Sequence, residues 1–189
     1  KMVFATAGIE VDTVARTASL QPLEISVLDL DISGELQPFS YAGEILPQGA
    51  ISIAAFSPRS LMTLFGVQPP ETADPVALSR VIISADAAVR QNDVRLSNVD
   101  VRIDDTTFTG TLSAPRDVTG AFSFDLVGDS IDLNRYMAPP SEGESGADGE
   151  AAPVEIPAEL IKPLNARGAL KFTSVVLGNL RLENVALGL

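Results

Sequence analysis

Apolar and polar residues alternate along most of the chain, as they do in a β-strand with one buried face. Three stretches repeat one version of this pattern, in which the alternation shifts phase after two apolar positions. They are 23–32, 94–103 and 180–189. This shift predicts a β-bulge, because one inserted residue would otherwise turn every later side chain to the opposite face. The same pattern also fits two short strands that meet at a kink.

Further alternating segments between the repeats predict about nine to eleven strands in all. We expect a mainly β fold, a long antiparallel meander of curved or bulged strands that forms a groove or an open two-layer sheet. Two or three short helices interrupt it. One is predicted at 58–65, where Ser57 is a favoured N-cap and Pro58 suits the first helical position. A second start signal predicts another at 74–78.

A change of composition divides the chain near residue 139. Residues 139–153 contain acids, Gly, Ser, Ala and Pro but no large apolar side chain. Such a segment cannot bury enough surface to become ordered. We therefore expect a β-rich region over 1–138 and a disordered acidic linker over 139–155. Residues 156–189 then supply a short helix and the closing β-hairpin of the same domain.

Composition argues against several classes of function. The chain has 13 basic and 25 acidic residues, a formal net charge of −12, whereas nucleic-acid binding needs a basic surface. It has no histidine and no cysteine, which removes Ser-His-Asp and Cys-His catalysis and the ordinary zinc sites. We predict no enzyme activity, no cofactor and no metal site. No apolar run approaches the ~18 residues of a membrane-spanning helix, so any anchor is expected outside this sequence.

Paired carboxylates are the nearest candidates for acid–base or calcium chemistry. The closest pairs in sequence are Asp29 with Asp31, Asp104 with Asp105, and Asp129 with Asp132. None has the spacing of a calcium-binding loop, and their positions on a strand face or in turns indicate solvent-facing and turn-forming roles. A carboxylate-based hydrolase would need two buried carboxylates about 5–10 Å apart in a cleft.

Arg135 is the basic residue with the clearest functional interpretation. It follows a predicted strand and precedes a double proline. Its guanidinium can bind an anionic headgroup or a substrate carboxylate. The alternative is an ion pair with the neighbouring Asp132.

Three parts of the chain resemble the AsmA family of bacterial envelope proteins. They are FSPRSLMTLFG with PPETADPVAL, within 56–78, then IDLNRYMAPP at 131–140 and LRLENVALGL at 180–189. The resemblance implies a periplasmic protein tethered to the inner membrane and involved in outer-membrane biogenesis. The family is similar to the bridge-like lipid-transfer proteins, whose curved sheets hold acyl chains along an apolar channel. It therefore implies non-enzymatic phospholipid transport between the inner and outer membranes.

On this resemblance, acyl chains lie on apolar side chains of the strands, and Arg135 contacts the polar headgroup. The expected groove residues are Leu30, Ile32, Val99, Val101, Phe122, Phe124, Val185 and Leu187. Composition alone favours a closed sandwich with an ordinary core over an open apolar face, and the resemblance reverses that order. The alternative function is a structural or assembly module that binds an envelope protein partner through a free sheet edge.

Overall fold

The computed structural model describes residues 4–41, 46–117, 120–139 and 165–188. In these residues, ten strands form one sheet, and their order in space follows their order along the chain. The strands are β1 (Phe4–Asp12), β2 (Thr17–Val27), β3 (Leu30–Ser40), β4 (Gln48–Phe56), β5 (Val81–Val89), β6 (Asp93–Ile103), β7 (Thr106–Pro115), β8 (Phe122–Asp132), β9 (Ala166–Leu177) and β10 (Leu180–Gly188).

The sheet is an open meander with one parallel junction. Neighbouring strands are antiparallel from β1 to β8 and again between β9 and β10, whereas β8 and β9 run parallel. A parallel pair needs a long connection, and here the chain leaves β8 at Asp132 and re-enters the sheet at Ala166. The expected mainly β meander is confirmed. The parallel junction was not predicted.

The second sequence repeat forms the predicted bulge. The pairing of β6 with β7 shifts between Leu96 and Val99. Asn98, which lies between them, has a left-handed φ of 49°, a region that asparagine tolerates better than most residues. Because the bulge absorbs the extra residue, Leu96 and Val99 project from the same face of the sheet.

The bulge prediction is wrong for the first repeat. Leu28 and Asp29 have φ angles of 58° and 86° and form a two-residue turn that pairs Val27 with Leu30. Two-residue hairpin turns commonly require positive φ at their central residues. Leu28 does not mark such a turn in the way that glycine or asparagine does, so the sequence pattern does not distinguish this hairpin from a bulged strand.

The third repeat keeps its register. Asn184 has a φ of 54°, yet β10 stays in step with β9 through the pairs Val185–Phe172 and Leu182–Val175. The apolar pattern of β9 also shifts phase here, because Phe172 and Val175 are three positions apart. The apolar pattern changes phase at the same level in both strands. The pairing of β9 with β10 therefore stays in register, and the predicted bulge is absent from it.

One predicted helix is present and another is replaced by a turn. The helix predicted at 58–65 is confirmed as α1 (Pro58–Leu64), with the Ser57 side chain accepting from the Ser60 backbone N–H. The helix predicted at 74–78 is wrong. Asp104 Oδ2 accepts the Leu78 N–H at 2.7 Å, and Leu78 has a φ of 58°, so the turn ends before a helix can propagate.

A 3-10 helix, Leu133–Arg135, follows β8. Of the expected acidic linker 139–155, only Pro139 lies within the described residues, and the helix predicted within 156–164 lies outside them. The hairpin of β9 and β10 belongs to the same sheet as β1 to β8.

Few apolar side chains are deeply buried. In the described part of the chain, the buried apolar residues are Ala77, Val81, Ala85, Val99, Phe172 and Val175. Substantial packing between elements is confined to neighbouring strands and to the 3-10 helix against β9. Within these residues the fold is therefore a single layer, and no second sheet or helical layer covers either face.

Candidate functional site

An apolar row crosses all ten strands. Its members pair in register from each strand to the next and so project from one face of the sheet. We call them the first apolar row: Ala5, Ile25, Ile32, Ile53, Ile83, Val101, Phe108, Gly128, Phe172 and Val185. Apart from the glycine, every member carries an apolar side chain.

A second apolar row runs beside the first across β1 to β9. On most strands it lies four residues away, which places it on the same face. In β6 the bulge at Asn98 restores this relationship. The second apolar row consists of Ile9, Leu20, Leu36, Gly49, Ala87, Leu96, Leu112, Phe124 and Gly168. We refer to the face that carries both rows as the apolar face.

The opposite face is mainly polar. The registered row there is Thr6, Glu24, Ser33, Ser52, Ser84, Asp100, Thr109, Val127, Lys171 and Ala186. Neighbouring side chains in it interact, with 2.7 Å between the hydroxyl oxygens of Ser33 and Ser52. The sheet is therefore amphipathic along its whole width, although no second layer covers its apolar side within the described residues.

All eight predicted groove residues lie on the apolar face. Ile32, Val101 and Val185 belong to the first apolar row, and Phe124 belongs to the second. The other four lie two positions from a row member on the same strand. Their exposure differs widely, since Val99 is 2% exposed, Phe122 37% and Leu187 50%.

The sequence prediction omitted the middle of the rows, including Ile53, Ile83 and Phe108. The period-2 alternation of β4, β5 and β7 marked these residues as one-sided. It did not indicate their alignment, because register depends on turn lengths and bulges that the pattern does not fix.

Aromatic rings concentrate on β7 to β9. Phe108 and Phe172 meet edge to face, with ring centroids 5.7 Å apart and an interplanar angle of 76°. Gly128 lies between them, and a Cβ there would be 2.7 Å from Phe172 Cδ1 and 3.2 Å from Phe108 Cε1. Phe122 and Phe124 form a second pair, with centroids 6.2 Å apart. The glycine leaves the space that the first pair of rings occupies.

Surface depressions also occur on the polar face. One of about 390 Å³ is lined by Glu35, Gln37, Gln48 and Asp86, among others. Another of about 400 Å³ includes Ser33, Ser52 and Ser84. The first depression is also lined by Gly49 and Ala87 of the second apolar row, whereas the second includes no member of either row.

The guanidinium of Arg135 is engaged by two carboxylates. Its Nε donates to Asp74 Oδ2 at 2.7 Å, and its Nη1 donates to Asp105 Oδ2. Asp132, the partner expected from sequence, instead accepts the Asn134 backbone N–H at 3.0 Å. The two carboxylates raise the pKa of Arg135. The Val76 backbone N–H and Arg135 lower the pKa of Asp74. Arg135 therefore joins the 72–80 segment and the β6–β7 turn to the 3-10 helix.

Asp104 organises the same end of the sheet. Its carboxylate accepts the backbone N–H groups of Leu78, Ser79 and Arg80, at 2.7, 3.1 and 3.1 Å. It also accepts the Tyr136 hydroxyl at 3.1 Å. Burial, followed by the Asp104 charge, raises the pKa of Tyr136 to about 12. This carboxylate has a structural role.

The other paired acids form local bonds as well. Asp31 Oδ1 accepts the Ser26 hydroxyl at 2.6 Å, and Asp129 Oδ1 accepts the Thr107 and Ser130 N–H groups at 3.0 and 2.6 Å. Among the described residues, no group of three or more acidic side chains is arranged to hold a metal ion. None of their helices is long and apolar enough to span a membrane.

Comparison with known proteins gave no match to a protein-family model, to a curated protein or to a solved structure.

Proposed function

We propose that the apolar face holds the acyl chains of phospholipids, as a non-enzymatic segment of an AsmA-like protein. In this proposal it takes part in outer-membrane biogenesis and in phospholipid transport between the inner and outer membranes. The observation that carries the proposal is the first apolar row, which continues over ten strands without a covering layer in the described residues. Large uncovered apolar surfaces are rare on monomeric proteins unless they bind something.

The dimensions of the rows suit acyl chains. Strands in a sheet lie about 4.8 Å apart, so nine steps between ten strands span roughly 43 Å. One leaflet of a bilayer contributes about half of a ~30 Å hydrocarbon core. Each row is therefore longer than one acyl chain, and chains lying across the strands meet apolar side chains on most of the strands. The polar face remains in water.

The AsmA-like stretches support the cellular context of the proposal. They imply a periplasmic location and tethering to the inner membrane. Within the fold, the stretch at 180–189 contributes β10, and 131–140 contributes the 3-10 helix with Arg135. Since Asp74 and Asp105 bind its guanidinium, the proposal assigns acyl-chain binding to the two rows and does not depend on a headgroup contact by Arg135.

Native mass spectrometry after incubation with phospholipid vesicles tests the proposal. The test variant is Val101→Asp, which places a charge in the first apolar row. The matched control is Val127→Asp, the same substitution on the polar face, where Val127 is 44% exposed. We expect bound phospholipid on the wild-type chain and on Val127→Asp, and at least a fivefold loss on Val101→Asp, since a charge beside an acyl chain is poorly solvated.

Leu187→Asp covers the case in which Val101→Asp fails to fold. Leu187 lies on the apolar face near the end of β10 and is 50% exposed, so a charge there is compatible with folding. Its lipid occupancy is expected to fall below that of Val127→Asp. The proposal would be contradicted if the folded wild-type chain bound no lipid. It would also be contradicted if the folded variants Val101→Asp and Leu187→Asp bound as much lipid as Val127→Asp.

A second candidate function is assembly through a free sheet edge. β1 and β10 are the terminal strands of the sheet, and each has one neighbour among the described residues. On β10, Leu180 and Leu182 are 60% and 47% exposed. Unpaired strand edges bind extended peptides by adding a strand. Hydrogen exchange with an unfolded outer-membrane β-barrel precursor tests this candidate: edge pairing slows exchange in β10, whereas lipid binding alone leaves the β10 edge amides unchanged.

A further inference from the structure

Four arginines lie at one end of strands β5 to β9, opposite the end that contains Arg135. Arg90 follows β5, Arg116 follows β7, and Arg95 and Arg167 lie near the starts of β6 and β9. We call these four residues the arginine corner. All four are exposed.

Backbone bonds fix the arrangement of the corner. The Arg90 N–H donates to the Asp93 carbonyl at 2.8 Å, and the Arg116 N–H donates to the Asn92 carbonyl at 2.9 Å. The Arg116 guanidinium lies over this turn, with Nη1 3.4 Å from the carbonyl oxygens of Arg90 and Gln91. On the polar face, Arg95 and Arg167 are joined by an unbroken register through Ser113 and Ser123.

The positive charges of the corner are not neutralised by ion pairs within the described residues. The ion pairs there join Arg102 to Asp100, and Arg135 to Asp74 and Asp105. The arginine corner therefore differs from Arg135, whose guanidinium is held by two carboxylates.

Asp86, Asp93, Asp117 and Asp125 lie near the corner, and Asp86 accepts the Asn98 side-chain amide at 2.7 Å. Asp93 Oδ2 accepts the Ser113 hydroxyl at 2.8 Å, and Asp117 Oδ1 accepts the Gly120 N–H at 2.9 Å. Asp125 shares a shallow depression with Arg95. The corner thus contains four of the 13 basic residues of a chain whose net charge is −12.

The apolar face extends to this corner. Val89, Val94 and Ala114 pair in register across β5, β6 and β7, two positions beyond the second apolar row. Arg116 comes two positions after Ala114, at the margin of the same face. An acyl chain whose polar end reaches this end of the apolar face would therefore bring that end to Arg116 and to the turn that carries Arg90.

We infer that the arginine corner binds the phosphate of an anionic phospholipid headgroup, and that the apolar face therefore prefers anionic over zwitterionic phospholipids. The inference rests on the proposed acyl-chain binding and adds the class of headgroup to it. Arginine donates paired hydrogen bonds to phosphate oxygens in a planar geometry that suits them. A zwitterionic headgroup carries a compensating cation that an arginine cluster repels.

The experiment compares two lipids with the same acyl chains, dioleoyl phosphatidylglycerol and dioleoyl phosphatidylcholine. Their occupancy on the wild-type chain is measured by native mass spectrometry after incubation with equimolar mixed vesicles. We expect phosphatidylglycerol to be favoured roughly fivefold, the ratio that corresponds to ~1 kcal/mol of exposed ion pairing. The preference should shrink in about 0.5 M salt, which screens exposed charges.

The test variant is Arg90→Ala with Arg116→Ala, and the matched control is Arg80→Ala with Arg102→Ala at the opposite end. Both double variants change the net charge equally. The corner variant is expected to bring the lipid ratio close to one without lowering phosphatidylcholine occupancy, whereas the control retains the preference. Urea unfolding transitions that match that of the wild-type chain establish that both double variants are folded.

The outcomes separate the two proposals. Equal uptake of the two lipids by the wild type, or an unchanged ratio in the corner variant, overturns the headgroup inference and leaves acyl-chain binding in place. No uptake of either lipid rejects both. Binding of inorganic phosphate to the lipid-free chain is measured separately, because free phosphate would compete with the lipid for the same arginines. Phosphate binding at the corner without any preference between the two lipids would identify a free-phosphate site instead and overturn the inference.

Discussion

The side-chain amide of Asn98 donates a hydrogen bond to the carboxylate of Asp86, with 2.7 Å between Nδ2 and Oδ2. This bond joins the bulged position of β6 to the neighbouring strand β5. The pairing of β5 with β6 also shifts here, between Ser84 and Asp86. The bulge is thus stabilised by a side-chain hydrogen bond in addition to the left-handed backbone conformation of Asn98.

Deletion of Asn98 should disrupt the sheet, whereas Asn98→Gly should be mild. Without the extra residue, Val94 and Leu96 would turn to the polar face, or the pairing of β6 would have to slip. We expect a loss of at least about 3 kcal/mol in the free energy of unfolding for the deletion. Asn98→Gly keeps the φ of 49° accessible and removes one exposed hydrogen bond, a loss of about 1 kcal/mol or less. Urea unfolding of both variants measures the difference, and equal losses would contradict this role for the bulge.

Gly128→Ala should destabilise the aromatic part of the apolar face. The added Cβ would lie 2.7 Å from Phe172 Cδ1, so the Phe108–Phe172 pair would have to separate. Overpacking of this kind typically lowers the free energy of unfolding by about 1–3 kcal/mol. Gly188→Ala is the control, because its Cβ would meet no atom within 4 Å. Chemical unfolding that shows the same stability for both alanine variants would be inconsistent with close packing over Gly128.

Arg135→Ala should loosen the end of the sheet near α1. The substitution removes the bonds to Asp74 and Asp105, and we expect a loss of about 1 kcal/mol, since the Asp105 side chain is 84% exposed and its pair is screened by water. Arg102→Ala is the control, because its side chain is 61% exposed and lies 3.5 Å from Asp100. Urea unfolding should show a smaller change for this control. A larger loss there than at Arg135 would contradict the assigned role.

Tyr136 should make stability fall in alkaline solution. Burial raises its pKa from 10.0 to about 12 in the folded chain, so the unfolded chain loses this proton first. The stabilisation is complete below pH 10.0 and is lost as the pH rises through about 12. Tyr136→Phe removes this contribution and should lessen the decline. Urea midpoints of the two proteins measured over this pH interval test the prediction, and parallel pH profiles would refute it.

Local patterns predicted much of the fold because strand alternation and helix capping depend on near neighbours in sequence. The phase shift at Asn98 and the N-cap at Ser57 belong to this class. The same kind of pattern was misleading at Leu28 and Asp29, since a phase shift is produced by a bulge and by a tight hairpin alike. The helix prediction at 74–78 was wrong for a different reason. The backbone N–H of Leu78 donates to Asp104, which is 26 positions away in sequence.

The candidate site divides in the same way. The alternation of apolar and polar residues predicted that Ile32, Val101 and Val185 each lie on the apolar face of their strand. Their alignment in a single row depends on the register of all ten strands. The partner of Arg135 could not be predicted from the sequence either. Asp132 was the nearest acid in sequence, but Asp74 lies 61 positions away and becomes a neighbour only after the strands between them have paired.

The parallel junction between β8 and β9 determines the direction of both sheet edges. The strand direction reverses seven times from β1 to β8, does not reverse between β8 and β9, and reverses once more between β9 and β10. The two terminal strands, β1 and β10, therefore point the same way. A second sheet placed alongside by translation alone would therefore meet the first through a parallel seam and continue its apolar rows on the same side. A twofold-symmetric pair joined through two β10 edges, with the axis perpendicular to the sheet, would instead form an antiparallel seam.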